Sequence, residues 1–199
     1  MRWPMRKYFI GFNLLVFSMV AIQVHADSGL DTIKSRINQA LVVLKDPALK
    51  SDSAKELKKK RLRAIFDNTF DYVELSRSTL SRYWDKLKPD QQTEFTQLYK
   101  ALLEKLYMDE ILSYKDQEIV IGKERPLGEN RVEVDTKIIS EKLETPINFR
   151  LISKNNQWWV YDFVIENISV VANYRSQFGR ILTKDSPEKM LEDLRKKVG

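Results

Sequence analysis

A chain of 199 residues is sized for one ordinary domain, and 34 basic against 28 acidic side chains, net +6, is too mild a balance for a nucleic-acid-binding surface. There is no cysteine, and the single histidine is His25. Disulfides and thiolate metal sites are excluded, and Ser-His catalysis loses its base if processing removes His25.

Processing is what the N-terminus predicts. Arg2, Arg6 and Lys7 form a basic start, Ile10 to Val24 (IGFNLLVFSMVAIQV) is largely apolar, and Val24-His25-Ala26 offers small residues at the positions a signal peptidase reads. The apolar run is short of the ~20 residues a membrane span needs, and Asn13 and Gln23 interrupt it. We expect residues 1–26 to be a cleaved signal peptide and 27–199 to form a single domain. Cleavage removes His25 and three cations, taking the net charge from +6 to +3.

Leu30, Ile33, Ile37, Leu41 and Leu44 recur at helical spacing, so the first helix is predicted over 30–44, ending at Asp46-Pro47. A second is predicted over 53–70. Its basic run KELKKKRLR is either a solvated face or a docking patch for an acidic partner or anionic membrane. A short third helix follows over 71–83. The strongest helix runs over 89–107, with Pro89 at its first turn and Phe95, Leu98, Leu102, Leu103, Leu106 and Tyr107 on one side.

The period then changes to two. Strands are predicted over 117–123, 131–139, 146–154 and 157–165, with a turn over Pro126 to Asn130 and a tight Asn155-Asn156 turn. Helix returns over 168–182, and Ser186-Pro187 starts a terminal amphipathic helix over 187–198. Helices followed by consecutive antiparallel strands make an α+β domain.

A two-residue turn at Asn155-Asn156 pairs Ser153 with Trp158, Leu151 with Val160, Phe149 with Asp162 and Ile147 with Val164. Asp162 then stands on an apolar face, where an unpaired carboxylate is costly; a one-residue slip would reverse the faces. Arg175, inside the stripe of Ile168, Val171, Phe178 and Leu182, is the simplest partner. The pair reads as a structural lock between helix and sheet, or as a polar mouth for a charged head group. Phosphate loops, GxGxxG, GxSxG and metal-loop patterns are all missing from the sequence.

The string Trp158-x-Val160-Tyr161-Asp162-x-x-Ile165-Glu166-x-Ile168-Ser169-x-Val171-x-Asn173-Tyr174-Arg175-Ser176-Gln177-Phe178 resembles the signature of the periplasmic phospholipid-binding proteins of the Mla pathway, also called toluene- or organic-solvent-tolerance proteins. Phe70-Asp71-Tyr72, Leu80-x-x-Tyr83-Trp84 and Leu87-x-Pro89-x-Gln91-x-x-x-Phe95 extend the likeness upstream. That family commonly has glycine where Ser81 stands, a polar residue at Trp159, and Ser or Thr at Lys88.

The resemblance implies an NTF2-like-related α+β fold, a curved antiparallel sheet of about four strands covered by several helices and enclosing an apolar cavity. It implies a non-enzymatic, monomeric carrier, with phospholipid as cargo and no cofactor, metal or nucleic acid. The implied partners are an inner-membrane ABC transporter with its substrate-binding ring and an outer-membrane lipoprotein–porin complex. Candidate lipid-lining residues are Phe149, Leu151, Val160, Val164, Val134 and Ile138 on the sheet, and Leu98, Leu102, Leu106, Val171, Tyr174 and Phe178 on helices. Ordinary core packing explains the same pattern. An NTF2-like enzyme using Asp162, or a ligand-free adaptor working through its Lys58 to Arg63 face, are the competing readings.

Overall fold

The computed structural model describes residues 28–141 and 143–199; the expected signal peptide lies outside them. Ser28 starts helix α1 (Gly29–Lys45) with a reciprocal cap: its hydroxyl accepts from the Asp31 N–H at 3.0 Å, and its own N–H donates back to the Asp31 carboxylate. Gly29 is required there, because a Cβ would meet Val132 Cγ2 at 2.6 Å. Helix α2 (Lys55–Asp67) is shorter than expected, since a turn at Asn68 and Thr69 leads Phe70 into a bridge with Val160.

Helix α3 (Tyr72–Leu80) is capped by Asp71 and stops at Ser81, before the expected Tyr83, where the backbone turns to φ 51. A short 3-10 helix, Ser81–Lys86, leads to α4 (Pro89–Leu112), which outruns its expected end at Tyr107.

Strands β1 (Glu118–Gly128), β2 (Arg131–Ile139), β3 (Glu144–Lys154), β4 (Gln157–Ile165) and β5 (Ile168–Ser169) form an antiparallel sheet in sequence order. The turn expected to begin at Pro126 begins instead beyond Gly128. β1 is an edge strand, where a proline is tolerated if its nitrogen faces solvent, and its register shifts between Pro126 and Gly128. Asn155 and Asn156 make the expected tight turn, with φ of 52 and 60. Glu166 and Asn167 repeat that conformation, with φ of 48 and 67, and so create β5 and delay helix α5 (Val170–Lys184). Helix α6 (Pro187–Val198) and its Ser186 cap are as read from sequence.

The β3–β4 register corrects the sequence reading. Ser153↔Trp158 and Leu151↔Val160 pair as expected, but Tyr161 is then an extra residue, and the next pairs are Arg150↔Asp162, Phe149↔Phe163, Asn148↔Val164 and Ile147↔Ile165. This bulge moves Asp162 and Val164 off the apolar face and puts Phe163 and Ile165 on it.

Two cores result. Ile33 of α1 packs on Val132, Val134, Leu151 and Val160 of the sheet, while Leu75, Phe95, Tyr99, Phe178 and Leu191 bring α3 to α6 together. Phe70 packs against both. It is held there because Thr69 and Asp71 bond to β4 on either side of it: Val160 N–H donates to Thr69 O at 2.8 Å, and Asp71 N–H donates to Val160 O at 2.9 Å.

Candidate functional site

The bulge at Tyr161 aligns a row of charge across the sheet. Arg125 on β1 donates to Glu133 on β2 at 2.7 Å, and Arg150 on β3 donates to Glu133 at 2.7 Å and to Asp162 on β4 at 3.1 Å. Asp162 is 2% exposed, and its remaining acceptor sites are taken by the Ser169 hydroxyl at 2.6 Å and the Val171 N–H at 3.0 Å. It therefore caps α5 together with Ser169, whose oxygen accepts from the Ala172 N–H at 2.9 Å. Burial pushes the Glu133 carboxyl up, but hydrogen bonds from Arg150 and Arg125 outweigh it and hold the group below its ordinary range.

Asp162 and Arg175 do not pair. The Arg175 guanidinium donates twice to the Ser78 carbonyl, at 3.0 and 2.7 Å, in the last turn of α3. Each residue ties down α5, but at different points and to different elements. The expected ion pair fails because the extra residue at Tyr161 turns Asp162 toward Arg150.

The predicted lining residues divide. Val134, Leu151 and Val160 are sealed in the sheet core, and Leu102, Val171 and Phe178 in the helical core. Val164 is buried on the Asp162 side of the sheet, a correction that follows from the bulge. Leu98, Ile138, Phe149 and Tyr174 are half-buried.

Leu106 is the outlier. It continues the α4 stripe of Phe95, Tyr99 and Leu102, which are 0–7% exposed, yet it is itself 48% exposed. Opposite this stripe, Ile121, Ile147, Phe149, Phe163 and Ile165 share one sheet face and are all only half-buried.

Aromatic rings close the seam between helix and sheet. Phe163 lies 6.0 Å from Phe70 and 5.3 Å from Tyr107, ring centre to ring centre. Tyr174 lies 5.3 Å from Tyr99 and 5.7 Å from Phe178. At Tyr107 and Phe163 the walls of the expected apolar cavity are in contact. Two clefts lined largely by charged residues lie elsewhere, one beside Lys50, Lys55 and Lys58 and one beside Lys59, Arg63 and Glu104. Phe163 was missed from sequence because strict alternation assigned it to the opposite face; only the bulge brings it inward.

The basic face of α2 is partly neutralised by Lys59–Glu56, Arg61–Asp46 and Arg63–Glu104 ion pairs at 3.3, 3.1 and 3.0 Å. Among the described residues no acidic or histidine cluster could hold a metal ion, and no helix is long and apolar enough to cross a membrane.

Comparison with known proteins finds one family, described as MlaC protein, matching residues 34–196. The chain is 27% identical over 139 residues to the intermembrane phospholipid transport system binding protein MlaC of Haemophilus influenzae. That alignment covers 65% of each protein, so the chain spans just under two thirds of the relative's length. Among solved structures it resembles the phospholipid-binding protein from Ralstonia solanacearum, determined in complex with a phospholipid. The TM-score is 0.78 at 19% identity, covering 86% of this chain and 97% of that one. At that identity the likeness is one of fold.

Proposed function

The chain belongs to the MlaC protein family, and from that premise we propose that it carries phospholipid, with the acyl chains entering between the half-covered sheet face and the α4 stripe. The observation that carries this reading is Leu106, an apolar position on a core-facing stripe that its own core leaves 48% exposed. Beside it, Tyr107 rests on Phe163 and marks where the two apolar walls meet.

Magnitudes favour opening of the seam by cargo. Two long acyl chains, at ~0.8 kcal/mol per CH₂, gain roughly 20 kcal/mol gross on leaving water. Parting an aromatic pair forfeits only ~0.5–1.5 kcal/mol beyond its area burial. A few ring contacts are therefore readily replaced by hydrocarbon.

The expected signal peptide, and the relative's naming within an intermembrane phospholipid transport system, support a periplasmic site of action. In this reading the protein passes lipid between an outer-membrane lipoprotein–porin complex and an inner-membrane ABC transporter with its substrate-binding ring. Phospholipid is cargo, and no cofactor is needed. No catalytic group is needed either: Asp162, which an enzyme would have to use, is engaged by Arg150, Ser169 and Val171.

Transfer of fluorescent phospholipid between donor and acceptor vesicles tests the reading. The wild-type protein is expected to accelerate it. Leu106→Glu, at an exposed position, is expected to melt like wild type but to slow transfer by roughly tenfold or more, since a carboxylate against acyl chains is left desolvated. Transfer by the variant at the wild-type rate would place the cargo elsewhere.

A further inference from the structure

Among the described residues, two phenols packed on the helical core lack the hydroxyl partners that Tyr83, Tyr99 and Tyr114 have. Tyr99 is fully buried, and its oxygen receives the Thr79 hydroxyl at 3.4 Å; the Tyr114 hydroxyl donates to Gln117 O at 3.0 Å. Tyr107 and Tyr174 make no hydrogen bond through their hydroxyls among the described residues, and neither oxygen is among the buried polar atoms left without a partner. Their rings are packed, one on Phe163 at 5.3 Å and the other on Tyr99 at 5.3 Å, and both side chains are half-buried.

Both rings pack against the same helical core. Burial pushes both phenols above their ordinary range, and for Tyr174 the neighbouring Tyr107 adds to the effect. Both stay protonated near neutral pH and can donate. An apolar ring with a polar tip is the side chain that settles at the head-group level of a bilayer, where hydrocarbon gives way to ester and phosphate oxygens. The seam reproduces that boundary inside a protein.

We propose that the Tyr107 and Tyr174 hydroxyls form the polar rim of the cargo site, donating hydrogen bonds to acceptor oxygens at the junction between a phospholipid's acyl chains and its head group. This rests on the carrier reading and adds to it what fixes the depth of the lipid. The acceptors are ester carbonyl or phosphodiester oxygens, which every glycerophospholipid presents whatever its head group. A rim of this kind reads the junction and leaves the head group in water.

The test compares wild type with a Tyr107→Phe/Tyr174→Phe double variant, which keeps both rings and removes only the hydroxyls. Affinity is measured for dioleoylphosphatidylglycerol, for its diether analogue, and for the apolar dye N-phenylnaphthylamine, which has no acceptor oxygen. The double variant is expected to bind the phospholipid about tenfold more weakly, the scale of two neutral hydrogen bonds, and the dye unchanged. If wild type also loses that factor on the diether analogue, the ester carbonyls are the acceptors; if it does not, the phosphate is. Unchanged phospholipid affinity in the double variant overturns the proposal, as does an equal loss for phospholipid and dye, which would make the hydroxyls merely structural. Failure of the wild type to bind phospholipid at all would overturn the carrier reading and this proposal with it.

Discussion

Ser81 ends α3 at φ 51 and ψ −125, a conformation that an L side chain adopts only under strain. The related family commonly has glycine there, and the geometry supplies the reason: α3 passes into the 3-10 helix beginning at Ser81 through a positive φ. Ser81→Gly is expected to raise the free energy of unfolding by about 1 kcal/mol, the strain relieved exceeding the entropy glycine adds to the unfolded chain. Urea denaturation measures this, and an unchanged or lowered midpoint would show that the strain is compensated locally. Asp162 shows the converse limit of reading single residues. That a carboxylate in so apolar a stretch needs partners was legible from cost alone; which partners was not, because they depend on one unpaired residue, Tyr161, just before it in the same strand.

That residue acts at the scale of the element. Alternation located β2 and β4 to the residue, and capping chemistry located α6, because those signals are local: side-chain period, Ser at the cap, Pro at the first turn. A bulge has no such local signature. Tyr161 satisfies strand propensity as well as its neighbours do, and only the fit of α5 against the sheet reveals the shift in register. β1 was misjudged at Pro126 for a related reason, since an edge strand tolerates a proline that a central strand cannot. The structural gain from the bulge is the shared cap of α5, where Asp162 takes the Ser169 hydroxyl and the Val171 N–H. Ser169→Ala is expected to cost about 1–2 kcal/mol, the upper end reflecting loss of a bond to a charged acceptor as well as a cap. A cost near zero in thermal or urea melts would mean that Asp162 alone sustains the helix start.

Across the whole molecule, the same register shift decides what the apolar surfaces do. With Phe163 inward, Phe70, Phe163 and Tyr107 form a continuous contact from the sheet core to the helical core. Periodicity could nominate the walls, and did so for Phe149, Leu102 and Tyr174, but it could not separate sealed core from half-covered surface. That distinction depends on which neighbours each residue meets: Leu102 and Leu103 join the helical core and Met108 packs with Val43, Leu49 and Leu62, while Leu106 between them is left 48% exposed. Under the proposed reading, the seam closes on its own rings and reopens around hydrocarbon. Mass spectrometry of lipid extracted from the purified, processed protein tests this most directly. The account expects phospholipid in stoichiometric amount. Protein that is free of lipid, and remains so after incubation with phospholipid vesicles, would contradict it.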